Sequence, residues 1–424
     1  MLPRTLTVFA VSLLSLPAEK LPVPTLIQQS KSGAKSAAFR QALADTLGQE
    51  AIAKGAAFAG HGPDFIWAVE SEKTPVLYVD GQATGKMTRL ANSNVWFQTG
   101  KLKTGTSHNF HYAIDGSRFG GNPNIPAYLP DSYEKQGVPQ GKLSEKLVHT
   151  SRIYPGMKSD YWIWVPAQYN PSTPAALMVW QDGHGLVARE GSTRAQIVWE
   201  NLIQQKKIPV MVHVLISPGL AEGERRMRSI QYDTVSDRYA RFLRDEILAE
   251  VQAKYNVRKD GYSRGIAGNS SGGICAFNVA WQQPDQFSRV LSHIGSFTAL
   301  QWRYNQPDPK DNLEGGNIYP FLVRREPKRN IRVWLQDGAE DLENRAGSWP
   351  LQNIQLANSL KQKEYDFHLS WGNGTHSAAH GNAELADSLT WLWRDYDPSK
   401  TEQTYEMEPA EREKPLFRIT ISNR

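Results

Sequence analysis

One pentapeptide, Gly268-Asn269-Ser270-Ser271-Gly272, constrains this chain more than any other feature. It has the form G-x-S-x-G. The residues before it, Gly265-Ile266-Ala267, are short and apolar, as at the end of a strand. Those after it, Gly273 to Trp281, read as a buried helix. Strand, sharp turn and helix together make this pattern a nucleophile elbow. The turn is strained, and a side chain at either outer glycine would crowd the crossing of strand and helix. The Ser270 hydroxyl is then presented at a helix N-terminus, where free N–H groups and the helix dipole favour developing negative charge.

A serine hydroxyl attacks poorly unless a neighbouring base takes its proton and a carboxylate orients that base. Behind an elbow the expected chain order is Ser, then Asp or Glu, then His, in loops at the C-terminal ends of strands. Two loops qualify. Gln336-Asp337-Gly338-Ala339-Glu340-Asp341-Leu342 follows the strand-like Val333-Trp334-Leu335, and Gly372-Asn373-Gly374-Thr375-His376-Ser377 follows Phe367–Trp371. His376 is the candidate base. Asp341 is the candidate acid, with Glu340, Asp337 and Glu343 as rivals. An oxyanion needs two N–H donors. One is the N–H of Ser271. The other is assigned to His184, in the Gln181-Asp182-Gly183-His184-Gly185 loop after Ala176–Trp180, a loop that also reads as a plain strand-to-helix turn.

His380 lies four residues after His376, a spacing that suits two ligands on one helical face. A zinc protease would need Glu directly after the first His, and Ser377 stands there. His108 and His111, three apart in a strand-like run, point to opposite faces. Neither a metal nor an organic cofactor is expected. The single Cys, Cys275, excludes an internal disulfide and reads as a small core residue.

The chain of 424 residues is long enough for two domains. After Arg4, the apolar run Leu6–Leu16 and then Pro17-Ala18 have the form of a secretory signal peptide cleaved after Ala18. The run is too short to cross a bilayer. A periplasmic or secreted protein with no membrane association after processing is expected. Residues 19–60 form a helical N-terminal segment, with Ala37, Phe39, Leu43, Leu47 and Ile52 on one stripe. Residues 61–146 hold short β-rich runs (65–69, 76–79, 95–97, 110–114) that imply a small β-sandwich, then a Gly-, Pro- and Tyr-rich linker or lid over 116–146. Residues 147–397 alternate strands with helices, which implies a mostly parallel sheet covered on both faces. Residues 398–424 read as a polar, loosely held tail. Net charge is only +5 with no long basic block, which argues against a nucleic-acid partner.

Five pieces recur in order: Trp180-Gln181-Asp182-Gly183, Tyr232 to Ala240, Gly268 to Gly273, Gln336-Asp337-Gly338 and Gly374-Thr375-His376-Ser377. Through them, residues 150 to 396 resemble the esterase D / enterochelin-esterase (Fes-like) branch of the α/β-hydrolases. That branch is similar to bacterial feruloyl and acetyl-xylan esterases and to mycolyltransferases. The resemblance implies an α/β-hydrolase fold, with Ser270 as nucleophile, His376 as base, Asp341 as acid and oxyanion donors at His184 and Ser271. The stretch from Asp64 to about Gly116 resembles the immunoglobulin-like module that precedes the catalytic domain in Fes-like proteins. Many relatives carry an aromatic residue where this chain has His380, and some Fes-like enzymes work with Ser and His alone.

Asp182, Arg228 and His380 are the substrate-binding candidates. Arg228 reads equally as a contact for an acidic or polar acyl group, a helix cap or a core ion pair. The leading expectation is a serine carboxylesterase acting on a small-molecule or carbohydrate ester. Export and the 13 tryptophans favour polysaccharide-linked feruloyl or acetyl groups. The alternatives are a siderophore esterase, an acyltransferase, and a carbohydrate-binding protein on an inactive hydrolase scaffold.

Overall fold

The apolar runs in the second half of the chain have no polar face to turn toward water, so they need cover on both sides. A sheet between helical layers supplies it in the computed structural model, which describes residues 21–33, 36–302 and 313–420. Two compact units emerge. One comprises the described residues up to Leu102 with Phe110–Asn122, the other Lys103–Asn109 with the residues from Pro123 onward. The proposed signal peptide lies outside the described residues.

The first unit begins with helices α1 (Val23–Gly33), α2 (Ala37–Leu47) and α3 (Gln49–Ala53). Ser36 caps α2 by accepting the Phe39 N–H at 3.3 Å. Of the expected stripe, Phe39, Leu43, Leu47 and Ile52 are buried and pack in one cluster with Ile66, Ala68 and Phe97, whereas Ala37 is exposed. Helix gives way to strand at Ala57, slightly before the expected boundary. The strands are β1 (Ala57–His61), β2 (Asp64–Glu70), β3 (Val76–Val79), β4 (Gln82–Ala83), β5 (Thr88–Arg89), β6 (Val95–Lys101), β7 (Thr106–Ile114) and β8 (Ser117–Ala127), with residues 106–109 of β7 and 123–127 of β8 counted in the second unit. Among the described residues they form two four-stranded sheets, β1-β2-β6-β5 and β4-β3-β7-β8. Phe58 and Phe110 meet edge to face between the sheets, with centroids 5.8 Å apart. The start of the expected linker is therefore the strand β8. Its Gly, Asn and Pro content lowers strand propensity, and pairing with β7 overrides that.

The second unit contains β9 (Lys142–Leu143), β10 (Leu147–Thr150), β11 (Lys158–Val165), β12 (Ala176–Gln181), α4 (Ala195–Gln204), β13 (Met211–Ile216), β14 (Leu220–Ala221), β15 (Arg225–Arg226) and α5 (Arg228–Tyr232). Helix α6 (Arg238–Phe242) continues through one π-turn into α7 (Leu248–Lys254). Then come β16 (Arg264–Asn269), α8 (Ser271–Gln282), β17 (Arg289–His293), α9 (Tyr319–Arg325), β18 (Arg332–Gly338), the short ribbon of β19 (Glu343–Asn344) and β20 (Gly347–Ser348), α10 (Trp349–Gln362), β21 (Asp366–Gly372), α11 (Ala379–Ala383), α12 (Leu385–Leu392) and α13 (Pro409–Glu413). The main sheet has the order β15-β14-β11-β13-β12-β16-β17-β18-β21, with β9 and β10 also on β11. From β13 to β21 neighbouring strands are parallel.

The pleat sorts the core. Val179, Ile266, Val290 and Val333 face α8 and the α6–α7 helix, whereas their successors Trp180, Ala267, Leu291 and Trp334 face α4 and α12. The parallel arrangement brings the ends of β12, β16, β17, β18 and β21 to one rim, and every candidate catalytic loop follows one of these ends. The expected loose tail is a correction. Tyr405 and Met407 are buried, and the Tyr405 hydroxyl lies 2.9 Å from Ser288 Oγ, so apolar burial ties the described part of the tail down.

Candidate functional site

At the end of β16 the chain turns through Ser270, at φ 59° and ψ −122°, directly into α8. A positive φ on a non-glycine residue stores of order 1–3 kcal/mol and persists only where the surroundings enforce it. Here the Ser270 N–H donates to the His293 carbonyl at 2.9 Å, and the Ser270 carbonyl accepts the Gly273 and Ser296 N–H groups. A Cβ on Gly268 would lie 2.3 Å from the Gly272 carbonyl oxygen, so the crossing admits only glycine there.

Ser270 Oγ lies 2.8 Å from His376 Nε2, and His376 Nδ1 lies 2.6 Å from Asp341 Oδ1. The Asp341 side chain is fully covered and the imidazole is mostly covered. With the Nδ1 proton held by the carboxylate, Nε2 is free to accept the serine proton. Burial pushes the Asp341 carboxyl up, but hydrogen bonds from His376, Asp337 and the Leu342 N–H outweigh it and hold the group below its ordinary value. Of the rivals, Glu340 and Glu343 are exposed. Asp337 is buried behind Asp341; burial and the neighbouring carboxyl hold it well above the ordinary range, so it is the protonated member of the pair.

Ser271 is the first residue of α8, so its N–H has no intrahelical acceptor. After β12, Asp182 adopts a left-handed conformation (φ 53°), and a tight turn over Gly183–Leu186 follows. His184 and Ser270 line one cavity of about 330 Å³, together with His376, Asp182 and Arg228. Arg228 grips Asp182 in a fork, Nε to Oδ1 and Nη2 to Oδ2, both at 2.8 Å. Arg228 thus forms an ion pair that is partly exposed in the cavity wall rather than set in the core.

His380 is not brought to the cavity. It is buried on α11, with Nε2 3.2 Å from Glu384 Oε2 and Nδ1 3.3 Å from Gln336 Nε2. The four-residue spacing on a helix serves His380 and Glu384 rather than His376 and His380. Cys275 is buried within α8, and burial pushes its thiol up, away from the reactive thiolate. Among the described residues, no group of three or more His, Cys, Asp or Glu side chains is arranged to hold a metal ion.

The profile of the Esterase family, described as "Putative esterase", matches residues 155–392, more than half of the chain. The chain belongs to this esterase family. An iron(III) enterobactin esterase of Dickeya dadantii (strain 3937) is 24% identical to it over 178 residues, 42% of this chain and 39% of that one. The chain thus spans about two fifths of the length of that curated relative. The enterobactin esterase FES of Shigella flexneri, in its structure with enterobactin, superposes with a TM-score of 0.52 at 17% identity, covering 79% of this chain and 96% of the other. The ferric enterobactin esterase of Salmonella typhimurium gives a TM-score of 0.50 at 15% identity, over 78% and 93%. The protein is Fes-like in fold, with an α/β-hydrolase-type sheet.

Three residues that sequence reasoning missed support this candidate site. Asn124 holds the His376 loop: its Nδ2 donates to Thr375 Oγ1 at 2.7 Å, and the Thr375 N–H donates to its Oδ1 at 3.1 Å. Ser296 Oγ lies 3.2 Å from Ser270 Oγ and accepts the Trp349 indole N–H at 3.1 Å. The Trp349 ring also meets the His376 ring edge to face, with centroids 5.7 Å apart. Ser296 follows the end of a strand beside the elbow strand, so the strand-end rule applied to β17 would have found it. Asn124 and Trp349 carry no local signal.

Proposed function

We propose that this esterase hydrolyses carboxylic esters through an acyl-enzyme on Ser270. Ser270 Oγ bonds to the ester carbonyl carbon as its proton passes to His376 Nε2. The N–H groups of Ser271 and His184 hold the oxyanion, and Asp341 stabilises the imidazolium. His376 then protonates the departing alcohol oxygen. Water, deprotonated by the same nitrogen, attacks the acyl carbon; the acid leaves and Ser270 regains its proton. The observation that carries this reading is the relay itself, 2.8 Å from Ser270 to His376 and 2.6 Å from His376 to Asp341.

On substrate, the tryptophan argument for polysaccharide esters loses its force. Nine of the 13 tryptophans are buried, where they serve packing. The relatives with enterobactin esterase in their names favour a siderophore ester, and feruloyl or acetyl esters are the second reading. The test is a panel of p-nitrophenyl acetate, methyl ferulate, acetylated xylan and a catecholate siderophore, run beside Ser270→Ala. Turnover of the siderophore alone among the natural esters supports the first reading. Equal activity in the Ser270 variant overturns the mechanism, and tight sugar binding without turnover would revive the inactive-scaffold alternative. An alcohol added to the assay that diverts product to a new ester would identify an acyltransferase.

We also read the first unit as an immunoglobulin-like module, on its two face-to-face four-stranded sheets. Export rests on residues 1–18, and N-terminal sequencing of the mature protein tests it. No helix among the described residues is long and apolar enough to cross a membrane.

A further inference from the structure

Leu291 and His293 occupy the same face of β17, because side chains two apart on a strand point the same way. That face fronts the Ser270 cavity, whose inner wall is built from Trp180, Leu186, Leu291 and Leu385. All four side chains are buried. Two polar residues, His293 and Asn382, interrupt this apolar wall. They are only 4% and 5% exposed, so bulk water does not solvate them. His293 Nε2 is buried with no hydrogen-bond partner, and Asn382 lines the same wall. Buried polar groups are nearly always paired in native proteins, and an exception at a cavity wall points to a ligand that completes the pairing.

We propose that His293, with Asn382 beside it, recognises a hydroxyl group carried on the apolar part of the substrate. The inference rests on the hydrolase reading of this cavity and deepens it. The chemistry is complementary. A neutral imidazole offers one donor and one acceptor, and so does a hydroxyl; the Asn amide offers both as well. Burial pushes the His293 pKa down to about 4, so the ring is neutral at physiological pH. The apolar wall holds the carbon skeleton, and the polar pair selects for one oxygen on it. A site built to bond a hydroxyl rejects the analogue that lacks it, because its own polar groups are then left unpaired.

The experiment compares matched esters with and without the hydroxyl. One pair is methyl 3-(4-hydroxyphenyl)propanoate against methyl 3-phenylpropanoate. The other is methyl 6-hydroxyhexanoate against methyl hexanoate. p-Nitrophenyl acetate, which carries no hydroxyl group, reports the basal reaction. The expected result is a preference in kcat/KM of about tenfold or more for the hydroxylated member of at least one pair. His293→Leu and Asn382→Leu should reduce that preference, the first to near unity. Both are read by the ratio within each pair, with kcat/KM of the hydroxylated ester falling more than that of its deoxy partner. His293→Gln, which keeps a donor and an acceptor, should retain most of it and guards against misfolding of the Leu variant. Hydrolysis of p-nitrophenyl acetate with no preference in either pair, or with no turnover of either pair, overturns the proposal. So does equal loss on both members in His293→Leu while His293→Gln behaves as wild type on neither. Failure to hydrolyse p-nitrophenyl acetate sinks the hydrolase reading instead. Binding of the two free phenylpropanoic acids, followed by NMR, then decides the pair separately: equal affinity rejects it, and tighter binding of the hydroxylated acid supports it.

Discussion

Asp337 and Asp341 are neighbouring buried carboxyls, and Asp341 Oδ1 accepts the Nδ1–H of His376 at 2.6 Å. Oδ2 of each carboxyl is buried with no hydrogen-bond partner from another residue type, and Asp337 Oδ1 accepts the Gly338 N–H at 2.8 Å. Two buried like charges cannot both persist at this separation, so one proton is shared and Asp337 is its keeper. Asp337 is thus placed to donate to Asp341, the carboxylate bonded to His376. Asp337→Asn, which is neutral and still a donor, should keep kcat within about tenfold of wild type. Asp337→Ala should lower kcat further and shift the acid limb of the kcat/KM profile upward, because Asp341 loses a bond that favours its charged form. A pH–rate profile of the two variants checks this, and identical profiles reject it.

The relay makes a sharper demand. Ser270→Ala and His376→Ala should each lower kcat by at least about 10⁴-fold, and combining them should cost little more, because the groups act as a unit. Asp341→Asn should also cost on the order of 10⁴-fold, since it favours the wrong tautomer. Cys275→Ala should retain activity. Stopped assays with p-nitrophenyl acetate resolve all four, and an active His376 variant would remove the base assignment.

Asn124 should matter despite its distance in sequence. Asn124→Ala deletes both bonds to Thr375 and frees the loop that aims His376. Small misplacements of a catalytic group reduce rate strongly, so kcat should fall about tenfold or more with KM little changed. Unchanged kcat with an intact circular dichroism spectrum would refute the positioning role.

Two buried titrations oppose each other. Burial lowers the His293 pKa from 6.5 to about 4, with the Glu384 charge opposing this and His380 reinforcing it. The unfolded state therefore binds more protons between these values. The His293 contribution to stability is fully present above about pH 6.5 and is lost as pH falls toward 4. It amounts to about 3 kcal/mol at most. Burial raises Asp233 from 3.8 to about 6, against hydrogen bonds from Ser271 and Ser229 and the Arg228 charge. There the folded state binds the proton, so stability falls as pH rises from about 4 to 6. Thermal melts from pH 4 to 7 should show the acid loss reduced in His293→Gln, and the loss on raising pH reduced in Asp233→Asn. Parallel curves for wild type and either variant would contradict that assignment.

Local order along the chain carried the elbow, the alternation of strands and helices, and the strand-end loops that hold Asp341 and His376. Each depends on neighbours within a few residues: a glycine where a Cβ would strike backbone, an apolar run followed by a turn. Folding in three dimensions decided the rest. It separated His380 from the cavity by giving it Glu384. It turned part of an expected linker into β8, and it anchored the polar tail through Tyr405. It also supplied Asn124, Ser296, Trp349 and Asp337 as supports, and left His293 Nε2 unpaired on an apolar wall. These outcomes rest on contacts between residues far apart in sequence or on different elements. A hydrogen bond from Asn124 to Thr375 leaves no periodicity or composition for a reader of the chain to find.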